Sequence, residues 1–99
     1  MDIFKLMKEA TAMKSKLTQM EKELKNKIVE TDLNGVKIKM NGKMELIELK
    51  LSPQLLTENI NKIETTIFTA IQQTIKKSQE IMAEETKKIT GGINIPGLM

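Results

Sequence analysis

The sequence predicts an α+β protein in which a long N-terminal helix, a three-stranded antiparallel meander and a long C-terminal helix follow one another. Three observations predict this order: apolar residues at helical spacing near both ends, a central stretch of alternating apolar and polar residues, and turn-forming dipeptides within that stretch. With 99 residues the chain has the size of one domain. We therefore expect a single domain over residues 1–92, followed by an apolar and flexible tail over residues 93–99.

The N-terminal helix is predicted from about Asp2, a suitable N-cap residue, to about Asn26. This window lacks glycine and proline and is rich in residues that favour helix. Its apolar residues form a heptad seam with alternating spacings of three and four: Ile3, Leu6, Ala10, Met13, Leu17, Met20 and Leu24. A stripe this narrow predicts packing against another helix, as in a coiled coil, rather than broad burial in a core.

The central region changes to a period of two, which is typical of strands. Asn41-Gly42 interrupts the alternation and predicts a type I′ hairpin turn, because both residues tolerate positive φ. Ser52-Pro53 is expected to end the sheet, since proline cannot donate a ladder hydrogen bond. The three predicted strands are about Ile28–Asp32, Val36–Met40 and Lys43–Leu51, with a turn at Leu33-Asn34-Gly35 between the first two.

The second helix is predicted to begin near Thr57, as its cap, and to stop at Gly91-Gly92 through a left-handed C-cap. One of its faces carries isoleucine at Ile60, Ile63, Ile67, Ile71 and Ile75. The two helices would be about 37 and 50 Å long, against roughly 17–20 Å for the strands. Because so short a sheet cannot cover both apolar stripes, the helices must pack either on each other or on a second chain, and a homodimer is the expected solution.

The composition excludes several classes of function. The chain has no cysteine or histidine, which removes thiol nucleophiles, imidazole bases and the usual zinc ligands. Two phenylalanines are the only aromatic residues, which disfavours base-stacking platforms for single-stranded nucleic acid. No apolar run is long enough to span a membrane. We therefore expect no catalytic residues, cofactor, metal, small-molecule substrate or membrane partner.

Four sequence features together resemble the YbaB/EbfC family of bacterial nucleoid-associated DNA-binding proteins. They are the helix LMKEATAM at Leu6–Met13 with its seam, Asn41-Gly42, the segment SPQLL at Ser52–Leu56, and GINIPG at Gly92–Gly97. The resemblance covers most of the chain. It implies an α-β-β-β-α protomer, a homodimer joined largely through the sheet, and helical arms projecting like tweezers. It also implies binding of double-stranded DNA in the cytoplasmic nucleoid, roles in nucleoid organisation and gene expression, and no enzymatic activity.

Lysines are the candidate DNA contacts, because neutralising phosphates releases condensed counterions. The chain has sixteen lysines and no arginine, against thirteen acids. Without the planar fork of arginine, binding is expected mainly to phosphates, with little base readout. Each lysine taken singly also fits an ordinary solvated helix face. The candidate residues are Lys5, Lys8, Lys14 and Lys16 near the chain start and the doublets Lys76, Lys77, Lys87 and Lys88 on the second helix.

A second hypothesis comes from the apolar features. A dimeric protein-interaction module could use the seam and the tail residues Ile93, Ile95, Leu98 and Met99 to clamp a protein partner in DNA repair or replication. Two measurements would distinguish the hypotheses. Binding to duplex DNA would favour the DNA-binding protein, and capture of a partner protein in the absence of nucleic acid would favour the interaction module.

Overall fold

The computed structural model describes residues 2–90 and confirms the predicted α+β fold. Three strands form one antiparallel sheet in the order β1-β2-β3, and a short 3-10 helix at Leu55–Thr57 leads into the second long helix. The predicted helix stop at Gly91-Gly92 and the tail at 93–99 lie outside the described residues. The elements are α1 (Ile3–Asn26), β1 (Ile28–Leu33), β2 (Val36–Asn41), β3 (Leu46–Leu51) and α2 (Ile60–Thr90).

Both ends of α1 match the prediction. The Phe4 N–H donates to the Asp2 carboxylate at 3.0 Å, so Asp2 is the N-cap. At the other end the Lys27 N–H donates to the carbonyls of Glu23 and Leu24, and the chain turns into β1.

The predicted turn at Leu33-Asn34-Gly35 is present, and the tight two-residue hairpin turn is Asn34-Gly35. Asn34 has φ 47° and Gly35 has φ 94°, as a type I′ turn requires, and they directly join the paired residues Leu33 and Val36. The predicted type I′ turn at Asn41-Gly42 is wrong, because neither of its residues has a positive φ.

Gly42 is needed for a close approach to α1. Its N–H donates to the carbonyls of Leu24 at 2.8 Å and Lys27 at 2.9 Å, and a Cβ at this position would lie 2.9 Å from the Leu24 oxygen. The Asn41 side chain accepts from the N–H groups of Lys43 and Glu45 and so closes a longer loop. This loop takes up the start of the predicted third strand, and β3 begins at Leu46 instead of Lys43.

The N-cap of α2 is Asn59, not Thr57. The Lys62 N–H donates to the Asn59 side-chain oxygen at 2.8 Å, whereas the Thr57 hydroxyl donates back to the carbonyl of Gln54 at 2.7 Å. The extra 3-10 helix between the sheet and α2 shifts the N-cap by two residues, from the predicted Thr57 to Asn59.

The face of α2 that packs on the sheet is made of small and polar residues. It lies on β1 and β2, where Ala70, Thr74 and Ser78 are fully buried. The Thr74 and Thr31 hydroxyl oxygens are 2.8 Å apart, and Ser78 donates to the Asn41 carbonyl at 2.8 Å. Small side chains let the helix approach closely, and these bonds satisfy the buried hydroxyls. The isoleucine row lies beside this face and is only partly buried at Ile63, Ile67 and Ile71.

β3 is an edge strand with exposed apolar side chains. Leu49 and Leu51 pair with the buried Ile38 and Val36, so they point to the side of the sheet that carries α2. α2 packs chiefly on β1 and β2, and the apolar side chains of β3 remain between 38% and 57% exposed. They are Leu46, Ile47, Leu49 and Leu51.

The two helices run antiparallel and meet at one end of α1. Lys27, just beyond α1, contacts Glu85, whereas Ile89 further along α2 shares a shallow groove with Lys16 and Met20. The remainder of α1 extends past this groove, and the described residues measure 68 × 23 × 15 Å. The chain is therefore elongated, with the first half of α1 projecting as an arm.

We predict that Ile38→Ala destabilises the fold by about 2–5 kcal/mol, because it removes a buried side chain and leaves a cavity. Ile38 is 0% exposed in the core formed with Val36, Leu55 and Ala70. Ile28→Ala is the matched control, since Ile28 is 50% exposed. Urea unfolding followed by circular dichroism would measure both variants. Equal losses at the two positions would contradict this core assignment.

Candidate nucleic-acid interface

The arm formed by α1 is exposed along most of its length. All residues from 2 to 19 are exposed, Met20 is half-buried and Leu24 is the one buried residue of the helix. Among the described residues, the predicted packing of the seam against a second helix is seen at Met20, which shares a groove with Ile89 of α2, whereas Leu24 is buried beside Gly42. Every lysine on the arm is accessible to a ligand.

The charges of α1 are segregated around the helix. With Ile3 as heptad position a, the seam occupies positions a and d. The acids Asp2, Glu9, Glu21 and Glu23 occupy positions e and g, which flank the seam. Positions b, c and f, on the opposite side, carry four lysines and no acid. We call these four lysines the basic back face: Lys5, Lys8, Lys22 and Lys25.

The basic back face is long enough to follow a DNA backbone. Lys5 and Lys25 are twenty positions apart, which corresponds to about 30 Å of helix. Within residues 2–90 none of its four lysines forms an ion pair. Lys25 lies in the last turn of α1, which we call the foot of the arm, and is near Glu45. The hydrogen bond from Asn41 lowers the pKa of the Glu45 carboxyl, and the charges of Lys25 and Lys43 lower it further.

The other two predicted lysines of the arm flank the seam. Lys14 is at an e position and Lys16 at a g position, both exposed and neither in an ion pair among the described residues. Of the nearby hydroxyls, Thr11 donates to the Met7 carbonyl and Thr18 to the Lys14 carbonyl. Because those hydroxyl hydrogens are already used, the lysine ammonium groups are the stronger phosphate donors on this surface.

The predicted lysines of α2 are in a different situation. Lys77 donates to the Glu30 carbonyl at 2.6 Å, and Lys88 lies 3.2 Å from the Glu85 carboxylate. Lys76 is exposed beside Gln72, Gln73 and Gln79, and Lys87 is exposed one position before Lys88. The structure thus places at least two of these four lysines in contacts within the fold and does not gather all eight predicted lysines on one surface.

Sequence reasoning missed Lys22 and Lys25. Both lie beside Glu21 and Glu23, so the side chains of residues 17–26 carry no net charge, whereas those of residues 1–16 carry +2. The signal that identifies them is the heptad repeat itself. With the seam at positions a and d, Lys22 and Lys25 fall at positions f and b, on the side of α1 that carries no acid.

The foot of the arm is held by a buried carboxylate. The Glu85 side chain is 3% exposed and is ion-paired with Lys27 and Lys88. Hydrogen bonds from Lys27 and Lys88 lower the pKa of the Glu85 carboxyl to about 2, against a smaller opposing effect of burial. Glu85 therefore stays ionised at neutral pH and ties α2 to the junction of α1 and β1.

Across residues 2–90 no three side chains of the types His, Cys, Asp or Glu are grouped so that they could hold a metal ion. No helix in the same range is both long and apolar enough to cross a membrane. An exposed helical arm whose acid-free face carries lysines toward both ends, Lys5 and Lys8 at one and Lys22 and Lys25 at the other, is suited to contacting an extended polyanion.

Comparison with known proteins decides the family. A sequence model of the YbaB/EbfC DNA-binding family matches residues 1–93. This chain belongs to the YbaB/EbfC family. A nucleoid-associated protein of Thermoanaerobacter sp. is 34% identical over 98% of this chain and 90% of its own length. Another, of Syntrophobacter fumaroxidans, is 37% identical over 96% of this chain and 89% of its own length.

The YbaB/EbfC assignment agrees with the fold. The crystal structure of an uncharacterized protein from Helicobacter pylori superposes with a TM-score of 0.84, covering 92% of this chain and 99% of the other. At 22% identity this similarity concerns the fold alone. The family is one of nucleoid-associated DNA-binding proteins and not an enzyme family.

We predict that the free energy of unfolding falls as the pH drops from about 5 toward 2, because Glu85 must be protonated when the pKa of about 2 in the folded state is approached. An unfolded Glu titrates near 4.5, so the contribution is complete above that pH and is lost below it. Glu85→Gln should lower stability at pH 7 and flatten this dependence. Urea unfolding at pH 7, 5 and 3 would measure it.

The exposed neighbour Glu84 provides the control. Glu84→Gln should keep the stability at pH 7 and the pH dependence of the parent chain. If Glu85→Gln and Glu84→Gln behave alike, the ion pair does not hold the foot of the arm.

Proposed function

We propose that this chain is a non-catalytic nucleoid-associated protein that binds double-stranded DNA as a homodimer, mainly through lysine contacts to phosphates. The observation that carries the proposal is the basic back face of α1, acid-free over about 30 Å, on an arm that is exposed along its length. Membership of a DNA-binding family supplies the identity of the polyanion. The proposed place of action is the cytoplasmic nucleoid, with roles in nucleoid organisation and gene expression.

The chemistry of lysine favours contact with the backbone over readout of bases. An ammonium group is a point charge and lacks the planar fork with which arginine reads guanine. The chain has no arginine to fill that role, and its two phenylalanines cannot form a stacking platform on the arm. Little sequence preference is therefore expected. We propose Lys5, Lys8, Lys14 and Lys16 as contacts, extended by Lys22 and Lys25, with Lys76, Lys77, Lys87 and Lys88 as secondary contacts on α2.

The homodimer is supported by the uncovered edge of the sheet. β3 has one free edge of backbone N–H and C=O groups, and an exposed apolar edge strand is a site for pairing with another chain. Its Leu49 and Leu51 are 47% and 38% exposed on the side that carries α2, where Ile60 and Phe68 of that helix are also exposed. We propose that β3 and the adjacent face of α2 meet the same elements of a second copy.

The rival hypothesis is a module that clamps a protein partner. It also requires a homodimer, but it does not use lysine contacts to DNA. Its grip would come from the seam and from residues 93–99. Loss of DNA binding on removal of the basic back face would favour the proposed function over this rival.

We predict that replacing Lys5, Lys8, Lys22 and Lys25 together by Gln weakens duplex binding by about tenfold or more near 0.1 M salt, because each lost phosphate contact reduces counterion release. The slope of log affinity against log salt should become shallower as well. Fluorescence anisotropy with a labelled duplex at several salt concentrations would measure both quantities.

The matched control replaces Lys37, Lys39, Lys43 and Lys62 by Gln. It removes the same charge from β2, from the loop after it and from the start of α2. Lys37 and Lys62 of this set are ion-paired with Glu30 and Glu58. Its affinity should stay within a few-fold of the parent chain. Equal losses in both variants would show that only net charge matters, and unchanged binding in the first would remove the basic back face from the interface.

We predict that Ile47→Glu with Leu49→Glu converts the dimer to a monomer, because two carboxylates would be buried unpaired in the proposed interface. Light scattering after size exclusion should give twice the chain mass of 11.2 kDa for the parent and that mass for the variant. Ile28→Glu on the other edge strand, at similar exposure, should remain a dimer. A monomeric parent chain, or a variant that stays dimeric, contradicts the β3 interface.

A further inference from the structure

The N-terminal part of the seam is an apolar stripe without a partner in residues 2–90. Ile3 is 68% exposed, Leu6 47%, and Met13 and Leu17 44% each. These residues share one side of α1 over about 21 Å of helix. The proposed β3 interface does not involve them, and the basic back face lies on the opposite side of the helix. An exposed apolar stripe of this length is a docking surface.

The end of α2 is directed at this stripe. Ile89, one residue before the last described residue of α2, lies in the groove beside Lys16 and Met20 of α1. Because the two helices are antiparallel, α2 runs toward the N-terminal end of α1. The exposed part of the seam begins at Leu17, next to the point where α2 ends.

The remaining chain has the length and composition to cover the stripe. Nine residues follow Thr90, with a reach of about 30 Å when extended. That exceeds the roughly 21 Å from Leu17 to Ile3 along the helix. Residues 91–99 contain no charged side chain and four large apolar ones, Ile93, Ile95, Leu98 and Met99.

We infer that residues 93–99 dock in cis on the seam between Ile3 and Leu17, running along α1 toward its N-terminus. A tail attached beside its site has an effective concentration in the millimolar range, far above that of a free second copy. A second copy on the seam would also form an additional interface besides β3, with the risk of open assembly. Docking in cis covers the stripe without a high concentration of a second copy and without a further interface between copies. It does not depend on the proposed DNA contact.

The test uses the absence of cysteine from the chain. Asn94→Cys places a thiol in the tail without removing an apolar residue, and Ala10→Cys places one in the seam. Ala12→Cys is the matched control, because Ala12 is a nearby exposed alanine at heptad position c on the opposite side of α1. Each double variant of the full chain is treated with a short bismaleimide at low concentration, and products are separated on a denaturing gel and identified by mass spectrometry.

We expect the Asn94/Ala10 pair to crosslink within one chain about tenfold faster than the Asn94/Ala12 pair, because docking raises the local concentration of the tail on the seam side. Adding Leu6→Gln with Met13→Gln should abolish the difference while the circular dichroism of the chain is kept. Equal rates for the two pairs would overturn the inference. A product joining two chains would overturn it too, because it would assign the seam to a second copy.

Discussion

The direction of α1 is set at one end, where the helix, the loop after β2 and α2 meet. The Gly42 N–H donates to the carbonyls of Leu24 and Lys27, which satisfies the end of the helix from the sheet side. Glu85 of α2 holds Lys27 from the other side. Because α1 meets α2 only from about Lys16 onward, residues 3–15 project away from this junction. The arm, its exposed seam and its lysine face all depend on this junction.

The distribution of charge gives the arm a different character from the sheet. On the outer face of the sheet Glu30 is paired with Lys37, and Glu48 lies between Lys39 and Lys50. These pairs neutralise much of the local field. On α1 the acids lie beside the seam and the lysines of the basic back face lie opposite, so positive charge is presented without a compensating acid. A net charge of only +3 is therefore compatible with a strongly basic surface.

Much of the architecture could be predicted from the sequence because the signals are local. Helix period, strand alternation and the Asp2 cap depend on neighbours in the chain, and α1, β1 and β2 agree with their predicted bounds to within one residue. The errors arose where a distant segment competes. Asn41-Gly42 has the composition of a type I′ turn, but contact with Leu24 gives Gly42 another conformation. Similarly, the polar part of the packing face of α2 was not recognised, because nothing in the sequence distinguishes Thr74 and Ser78 from exposed polar residues.

The sequence by itself determined the order of the elements, the heptad seam, the absence of arginine and the resemblance to a DNA-binding family. Each follows from residue identity and spacing along one chain. Only the tertiary structure decided that α1 is exposed for most of its length, that Lys77 and Lys88 are engaged within the fold, and that α2 leaves β3 uncovered. These are relations between residues tens of positions apart. They depend on how closely α2 can approach β1 and β2 through its small side chains. The spacing of apolar residues along the chain does not reveal that distance.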